Sequence, residues 1–338
     1  MFKTIVVPLD GSDLSEKALP YAVRLANSLE VNITLLRVVE IPDFPGDPLQ
    51  KEHLREAAEY LTNLKAWLMG DEETSQFSNQ LDISVLIGDP ADEICHYVRE
   101  QELALVVMTT HGRSGFSRLL MGSVTGKILH KLSIPIFLVR PFGQMTNQTL
   151  PELLVAQDEP YANTFLKNGI RILVPVDENE KAEAALKPAF ELAKKLNAPL
   201  FLLKVNLPHS NLTYLDAVTL AFSPEEIIRK EEQDRVAARV YLGQIAQLAQ
   251  REGVETVIHA STGNPADEIM EYANLVEPDL IIMATHARSE LGRLIFGSVA
   301  NQILQVTHLP VLMIPSGKSS FKPVTVKATS TKPEPIKN

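Results

Sequence analysis

Along the chain, short runs that are apolar at nearly every position alternate with longer stretches in which apolar residues recur every three or four places. The short runs Thr4–Leu9, Ile33–Val39, Ile83–Ile87, Leu103–Met108 and Ile136–Val139 are bounded by Pro, Gly or Asp and read as strands. Strands apolar on both faces suit a buried parallel sheet. Between them, Ser15–Leu29 sets Ala18, Ala22, Leu25, Ala26 and Leu29 on one helical stripe, and Leu54–Trp67, Pro90–Glu100 and Ser123–Leu132 read as three further helices. Pro20 inside the first stretch predicts a shifted start or a bend, because proline removes a helical donor and clashes with the preceding turn. The order β-α-β-α-β-α-β-α-β, with right-handed crossovers, gives a doubly wound, five-stranded parallel sheet with helices on both faces.

The same pattern then returns. Ile5-Val6-Val7-Pro8-Leu9-Asp10 recurs as Ile172-Leu173-Val174-Pro175-Val176-Asp177, Gly88-Asp89-Pro90-Ala91 as Gly263-Asn264-Pro265-Ala266, and Gly122-Ser123-Val124 as Gly297-Ser298-Val299. The first block recurs after 172 − 5 = 167 residues and the other two after 263 − 88 = 175, which predicts a gain of about eight residues in the middle of the second copy. Its strands fall near Ile172–Val176, Leu200–Val205, Thr256–His259, Leu280–Ala284 and Val311–Ile314. The extra residues fall around Leu207–Pro224, ahead of a long charged helix from Pro224 to about Arg251. The chain is therefore α/β throughout, with two tandem doubly wound domains, 1–141 and 169–315. A linker, 142–168, carries one short helix around Leu150–Ala156. The tail, 316–338, is basic, has no core pattern and is expected to be disordered.

Composition narrows the classes. With 338 residues, 45% of them apolar and 22% charged, two soluble domains of ordinary size fit, and no apolar run is long enough to span a bilayer. The run from Met1 to Thr4 enters a strand directly without a secretory pattern, and a single cysteine allows no internal disulfide; both point to the cytoplasm. Cys95 sits on an apolar helix face and is matched by Met270, which reads as a small buried hydrophobe rather than a reactive thiol. A formal charge of −10 argues against nucleic-acid binding.

In a doubly wound sheet, ligands bind at the carboxyl ends of the strands, so the loops after strands carry the candidate chemistry. Pro8-Leu9-Asp10-Gly11-Ser12 ends the first strand on a carboxylate. Asp10 suits a sugar hydroxyl or a metal bridging phosphates, and it equally suits an Asx-turn or a helix cap. Gly88-Asp89-Pro90-Ala91 reads mainly as turn geometry with proline in the first helical turn. The most specific pattern is Thr109-Thr110-His111-Gly112-Arg113-Ser114-Gly115, an excursion, then Gly122-Ser123-Val124 opening a helix. Bare backbone N–H groups, a hydroxyl and a helix N-terminus together make a phosphate cradle. It lacks the lysine of the NTPase P-loop. His111 and Arg113, repeated as His286 and Arg288, read as loop or phosphate residues, and no nucleophile–base–acid set is legible in either copy, so no catalytic residue is assigned.

These motifs, in this order and in both copies, resemble the universal stress protein family. The resemblance implies the adenine nucleotide alpha hydrolase-like fold, a role in stress response, and ATP, AMP or ADP as ligand. It implies Pro8 and Asp10 beside the ribose, backbone near Val38 at the adenine, and Thr109, Gly112, Gly122, Ser123 and Val124 around the phosphates. In the second copy the matching positions are Pro175, Asp177, Gly297 and Ser298. The family pattern, G-x-x-G, nine residues, then G-[ST], is met in the first copy except at Thr109. In the second copy both early glycines are alanine, Ala284 and Ala287, so the first copy is expected to carry most of the affinity. Two other classes fit the same residues: a slow ATPase with Mg2+ at Asp10, and an interaction module that binds no nucleotide. The short apolar fifth strands predict that the two copies pair with each other inside one chain, with a further dimer of chains allowed but not required.

Overall fold

A computed structural model describes residues 2–40, 48–70, 81–110, 121–131, 134–140, 170–178, 183–208, 224–285 and 297–316. Gly112, His111, Arg113, His286, Ala287 and Arg288 lie outside them. So do the 142–168 linker with its predicted short helix, most of the stretch Leu207–Pro224, and the tail from residue 317.

The first repeat runs β1 Thr4–Pro8, α1 Asp13–Glu16, α2 Leu19–Leu29, β2 Asn32–Val39, α3 Pro48–Gly70, β3 Leu81–Ile87, α4 Pro90–Glu100, β4 Ala104–Thr109, α5 Ser123–Lys131 and β5 Ile136–Val139. The second runs β6 Ile172–Val176, α6 Leu186–Leu196, β7 Leu200–Asn206, α7 Pro224–Arg251, β8 Thr256–Thr262, α8 Pro265–Val276, β9 Leu280–Thr285, α9 Ser298–Val306 and β10 Val311–Pro315. The sheet order is β3-β2-β1-β4-β5-β10-β9-β6-β7-β8. Each half is parallel within itself and carries the same doubly wound order, and the halves meet where β10 runs antiparallel to β5 with Leu312 opposite Phe137. The central strands are buried on both faces, as their continuous apolar runs require. The outermost strands β3 and β8 are partly exposed, with Ile83, Val257 and Ile258 open to solvent, because a sheet edge is covered less completely than its middle.

Two apolar layers sandwich the sheet, and each is continuous across both repeats. One gathers α2, α3, α6 and α7 over residues such as Leu25, Leu61, Leu192 and Leu242. The other gathers α4, α5, α8 and α9 over Ile94, Ile128, Ile269 and Ile303. Cys95 is buried in the second layer, and burial pushes its thiol up, as its match to Met270 leads one to expect. At the junction Tyr21 packs on Phe137, with ring centroids 5.9 Å apart; burial pushes its hydroxyl up to about 12. The Arg140 guanidinium donates to the carbonyls of Leu304 (2.6 Å) and Gln305 (2.9 Å), satisfying acceptors that the end of α9 cannot use internally.

Pro20 breaks the first helical stretch in the way its ring demands. The run splits into α1 and α2, with Pro20 in the first turn of α2, where its missing N–H costs nothing. The mid-domain length change is larger than the motif spacing implies. The buried stripe of α3, Ala57, Leu61, Leu64 and Leu68, matches Ala238, Leu242, Ile245 and Ala249 of α7, a shift of 238 − 57 = 181. Set against 167 before these helices and 175 after them, the second repeat has 181 − 167 = 14 extra residues ahead of the helix and 181 − 175 = 6 fewer behind it. A net gain of eight hides two changes of opposite sign.

Candidate functional site

In the first repeat, β1 ends at Pro8, β2 passes Val38, β4 ends at Thr109 and α5 begins at Ser123. These ends converge on a cavity of about 1020 Å³ whose wall includes Pro8, Asp10, Val38, Thr109, Gly122, Ser123 and Val124. Every first-repeat candidate that the structure describes therefore lines one space at the carboxyl ends of the strands. Gly112 lies outside the described residues.

The local chemistry is specific. Asp10 Oδ1 accepts from the Ser12 amide (3.0 Å) and the Ser12 hydroxyl (2.6 Å), while Ser12 caps α1 by accepting from the Ser15 amide (3.2 Å). The Asx-turn reading of Asp10 thus holds for one carboxylate oxygen. The Gly122 amide is not a bare donor: it donates to Thr110 O at 2.8 Å, pinning the entry of α5 to the end of β4. Within the helix the Ser123, Val124 and Thr125 amides have no partner, since the first bond there runs from Gly126 N to Gly122 O, and among the described residues nothing else accepts from them. Asp89 caps α4 by accepting from Ala91 N (3.0 Å) and Asp92 N (3.1 Å), so the Gly88-Asp89-Pro90 motif is a turn with a cap, and only Pro90 of the three faces the cavity.

The opposite wall stands outside the sequence motifs. Arg37 from β2 and His53, Glu56 and Tyr60 from α3 also line the cavity. The Arg37 guanidinium lies 5.1 Å over the Tyr60 ring and against Gly11, whose φ of +78° favours glycine and where any Cβ would meet that guanidinium. Tyr60 donates to Glu16 Oε1 at 2.7 Å. Burial and this bond push the tyrosine hydroxyl well up, and burial raises the Glu16 carboxyl above its ordinary value. The Glu16/Glu183 match was visible at the 167-residue spacing, but Tyr60 and Tyr241 match only at 181, which motif spacing conceals.

The second repeat builds the corresponding crevice differently. Pro175, Asp177, Gly297 and Ser298 stand outside the first cavity and keep their places at the ends of β6 and at the start of α9. Glu178 takes the place of Gly11 and Lys204 that of Arg37; Lys204 Nζ lies 3.5 Å from Glu178 Oε1, with the lysine side chain 12% exposed. The single Tyr241 hydroxyl proton is shared between Asp177 O (2.7 Å) and Glu183 Oε1 (3.1 Å), tying α7 down onto the loop after β6. Among the described residues, no group of three or more His, Cys, Asp or Glu could hold a metal ion, and no helix is long and apolar enough to cross a membrane.

Comparison with known proteins agrees with this layout. The model of the universal stress protein family matches residues 1–140 and again 170–315. A universal stress protein of Methanocaldococcus jannaschii is 29% identical over 147 residues, covering 41% of this chain and 83% of its own length. The universal stress protein E homolog of Haemophilus influenzae is 23% identical over 329 residues, covering 94% of this chain and 98% of that one. The crystal structure of a universal stress protein from Archaeoglobus fulgidus superposes with a TM-score of 0.65 at 19% identity, covering 93% of this chain and 98% of that one; it supports the two-repeat fold.

Proposed function

The chain belongs to the universal stress protein family, and we propose that it is a nucleotide-binding regulator of the stress response whose first repeat carries the site. One observation carries the reading: seven residues from four separate segments, picked out by the family motif, line a single cavity of about 1020 Å³. That volume is at the upper end of what small-molecule sites use, and it suits an adenine nucleotide. Pro8 and Asp10 would face the ribose, the backbone at Val38 the adenine, and the Ser123 and Val124 amides with the Ser123 hydroxyl the phosphates, where the dipole of α5 favours negative charge.

The reading is of binding rather than turnover. A hydrolytic role asks Asp10 to hold Mg2+ against the phosphates, and one of its two oxygens is already engaged by Ser12. The domains are taken as 1–141 and 169–315, joined by 142–168. They remain paired through β5 and β10 in solution, a reading supported by the short antiparallel ladder, by Arg140 on the end of α9 and by apolar layers shared across the junction. A reducing, cytoplasmic setting accords with the single, buried Cys95.

Heat-denaturing the purified protein and identifying the released small molecules by mass tests the central reading. An adenine nucleotide is expected. Protein that releases none and shows no heat on titration with ATP or AMP would contradict it, while phosphate release above a blank that disappears in Asp10→Ala would favour the ATPase. Cutting the chain between residues 145 and 165 should leave the halves together on a sizing column at micromolar concentration; separation would end the pairing.

A further inference from the structure

A second cavity, of about 580 Å³, lies between α8 and α9, lined by Ala266, Asp267, Met270, Glu271, Asn274, Gln302 and Val306. The first repeat shows what normally fills this position. There, 175 residues earlier, Lys131 pairs with Asp92, Lys127 pairs with Asp89 at 2.9 Å, and the Arg99 guanidinium donates to Lys131 O at 2.9 Å, so three cations lace α4 to α5. In the second repeat all three are gone. Lys127 becomes Gln302, Lys131 becomes Val306 and Arg99 becomes Asn274, while the carboxylate of Asp92 is kept as Asp267 and His96 becomes Glu271. Among the described residues, neither Asp267 nor Glu271 has an ion-pair partner. Apolar surface comes with the carboxylates: Val306 is 64% exposed, and Leu275, one turn beyond Glu271, is 75% exposed. The groove has lost its own cations and gained exposed apolar surface, so it suits a ligand that brings cations and apolar side chains together.

We propose that this groove is the docking site of the chain's own lysine-rich segment, residues 317–338. The segment offers Lys318, Lys322, Lys327, Lys332 and Lys337 against the single acid Glu334, and it interleaves the first three lysines with Phe321, Val324 and Val326. It also starts in the right place. Ser316, whose amide donates to Thr285 O at 2.9 Å, leaves β10 at the carboxyl edge of the parallel half-sheet, the same edge at which α8 begins with Pro265, Ala266 and Asp267. Four strand spacings separate β10 from β8, roughly 19 Å at ~4.8 Å each. The eleven residues from Ser316 to Lys327 reach roughly 36 Å at ~3.3 Å each, enough to lie along the groove with length to spare. Docking replaces the missing interhelical cations with lysines from the end of the chain and covers Val306 and Leu275.

Limited trypsin digestion of the full chain, followed by mass spectrometry, reads the docking directly through cleavage after Lys318 and Lys327, since Lys322 and Lys332 precede proline. At low salt, cleavage at both sites should be at least about five-fold slower in the unmodified protein than in Glu271→Lys or Asp267→Lys, both exposed changes that leave the core intact. At 0.5 M salt the difference should vanish. Equal low-salt rates in the unmodified protein and the groove variants would overturn the proposal. So would an equal acceleration by Glu252→Lys, an exposed reversal elsewhere in the second repeat, because the effect would then be general charge. If the groove variants instead convert a dimer to a monomer in sedimentation without changing cleavage, the occupant is a second copy of the chain and the docking fails.

Discussion

The two crevices at the carboxyl ends of β1 and β6 share a strand order, a helix order and their flanking Pro-x-Asp, yet only the first is bordered by a bare glycine with an arginine laid across it. In the first repeat the Arg37 guanidinium lies against Gly11 and over the Tyr60 ring, and Tyr60 reaches to Glu16. In the second, Glu178 and Lys204 put an ion pair at the same positions, and Tyr241 bonds to the loop backbone at Asp177. The buried stripes of α3 and α7 are interchangeable, whereas the residues facing the crevice are not. The fold is set by apolar positions that both copies keep, so the crevice lining can change without disturbing the sheet.

The largest effect should come from Gly122→Val. Gly122 has no positive φ, so valine is tolerated by the backbone, but its branched side chain crowds the first turn of α5 where the phosphates would sit. Nucleotide affinity measured by calorimetry should fall at least about 100-fold, about 2.7 kcal/mol, with a midpoint of thermal unfolding lowered by only a few degrees. An unchanged affinity, or unfolding in step with the loss of binding, would show that Gly122 serves the fold alone and that the contrast between the crevices lies elsewhere.

Removing the tyrosine hydroxyls should separate the two sites by kind of effect. Tyr241→Phe removes a donor shared by two acceptors and should cost about 1–2 kcal/mol of stability in denaturant titration while leaving nucleotide affinity unchanged. Tyr60→Phe, in the wall of the first cavity, should cost about 1 kcal/mol and also weaken binding a few-fold. Equal behaviour of the two variants would mean that the crevices do not differ as described.

The smallest effect concerns Glu16. Its folded-state carboxyl is raised above the unfolded value, mainly by burial, so the folded state holds the proton longer and this group's contribution to stability is present at low pH. That contribution is lost as pH rises from the ordinary glutamate range through the raised folded value. Unfolding midpoints followed across this window should fall with pH more steeply in the unmodified protein than in Glu16→Gln. Parallel curves would show that Glu16 titrates as it does in water.

Much of this was legible in the sequence, and the misses have physical reasons. Apolar β-branched runs located the strands to within a few residues because buried parallel strands admit little else, and Pro20 announced the α1/α2 break through its fixed ring. The candidate cavity was legible only on the side built from loops after strands, where Pro8, Asp10, Thr109 and Ser123 stand in short motifs. Arg37 and Tyr60 were not, because one lies inside a strand and the other on the inner side of a long helix, where a residue that faces a ligand and one that faces the core follow the same period. The sequence motif does not tell which N–H groups of the helix start are free, and only the three-dimensional proximity of Thr110 shows that the Gly122 amide is already used. The two opposite length changes around α7 were hidden because spacing between motifs records only their difference.

Calorimetric titration of ATP into the full chain, after removal of any bound nucleotide, tests most directly whether the two crevices differ in function. One nucleotide per chain is predicted, with binding lost in Gly122→Val and unchanged in the matched variant Gly297→Val. Two nucleotides per chain, or loss of binding in Gly297→Val, would contradict it.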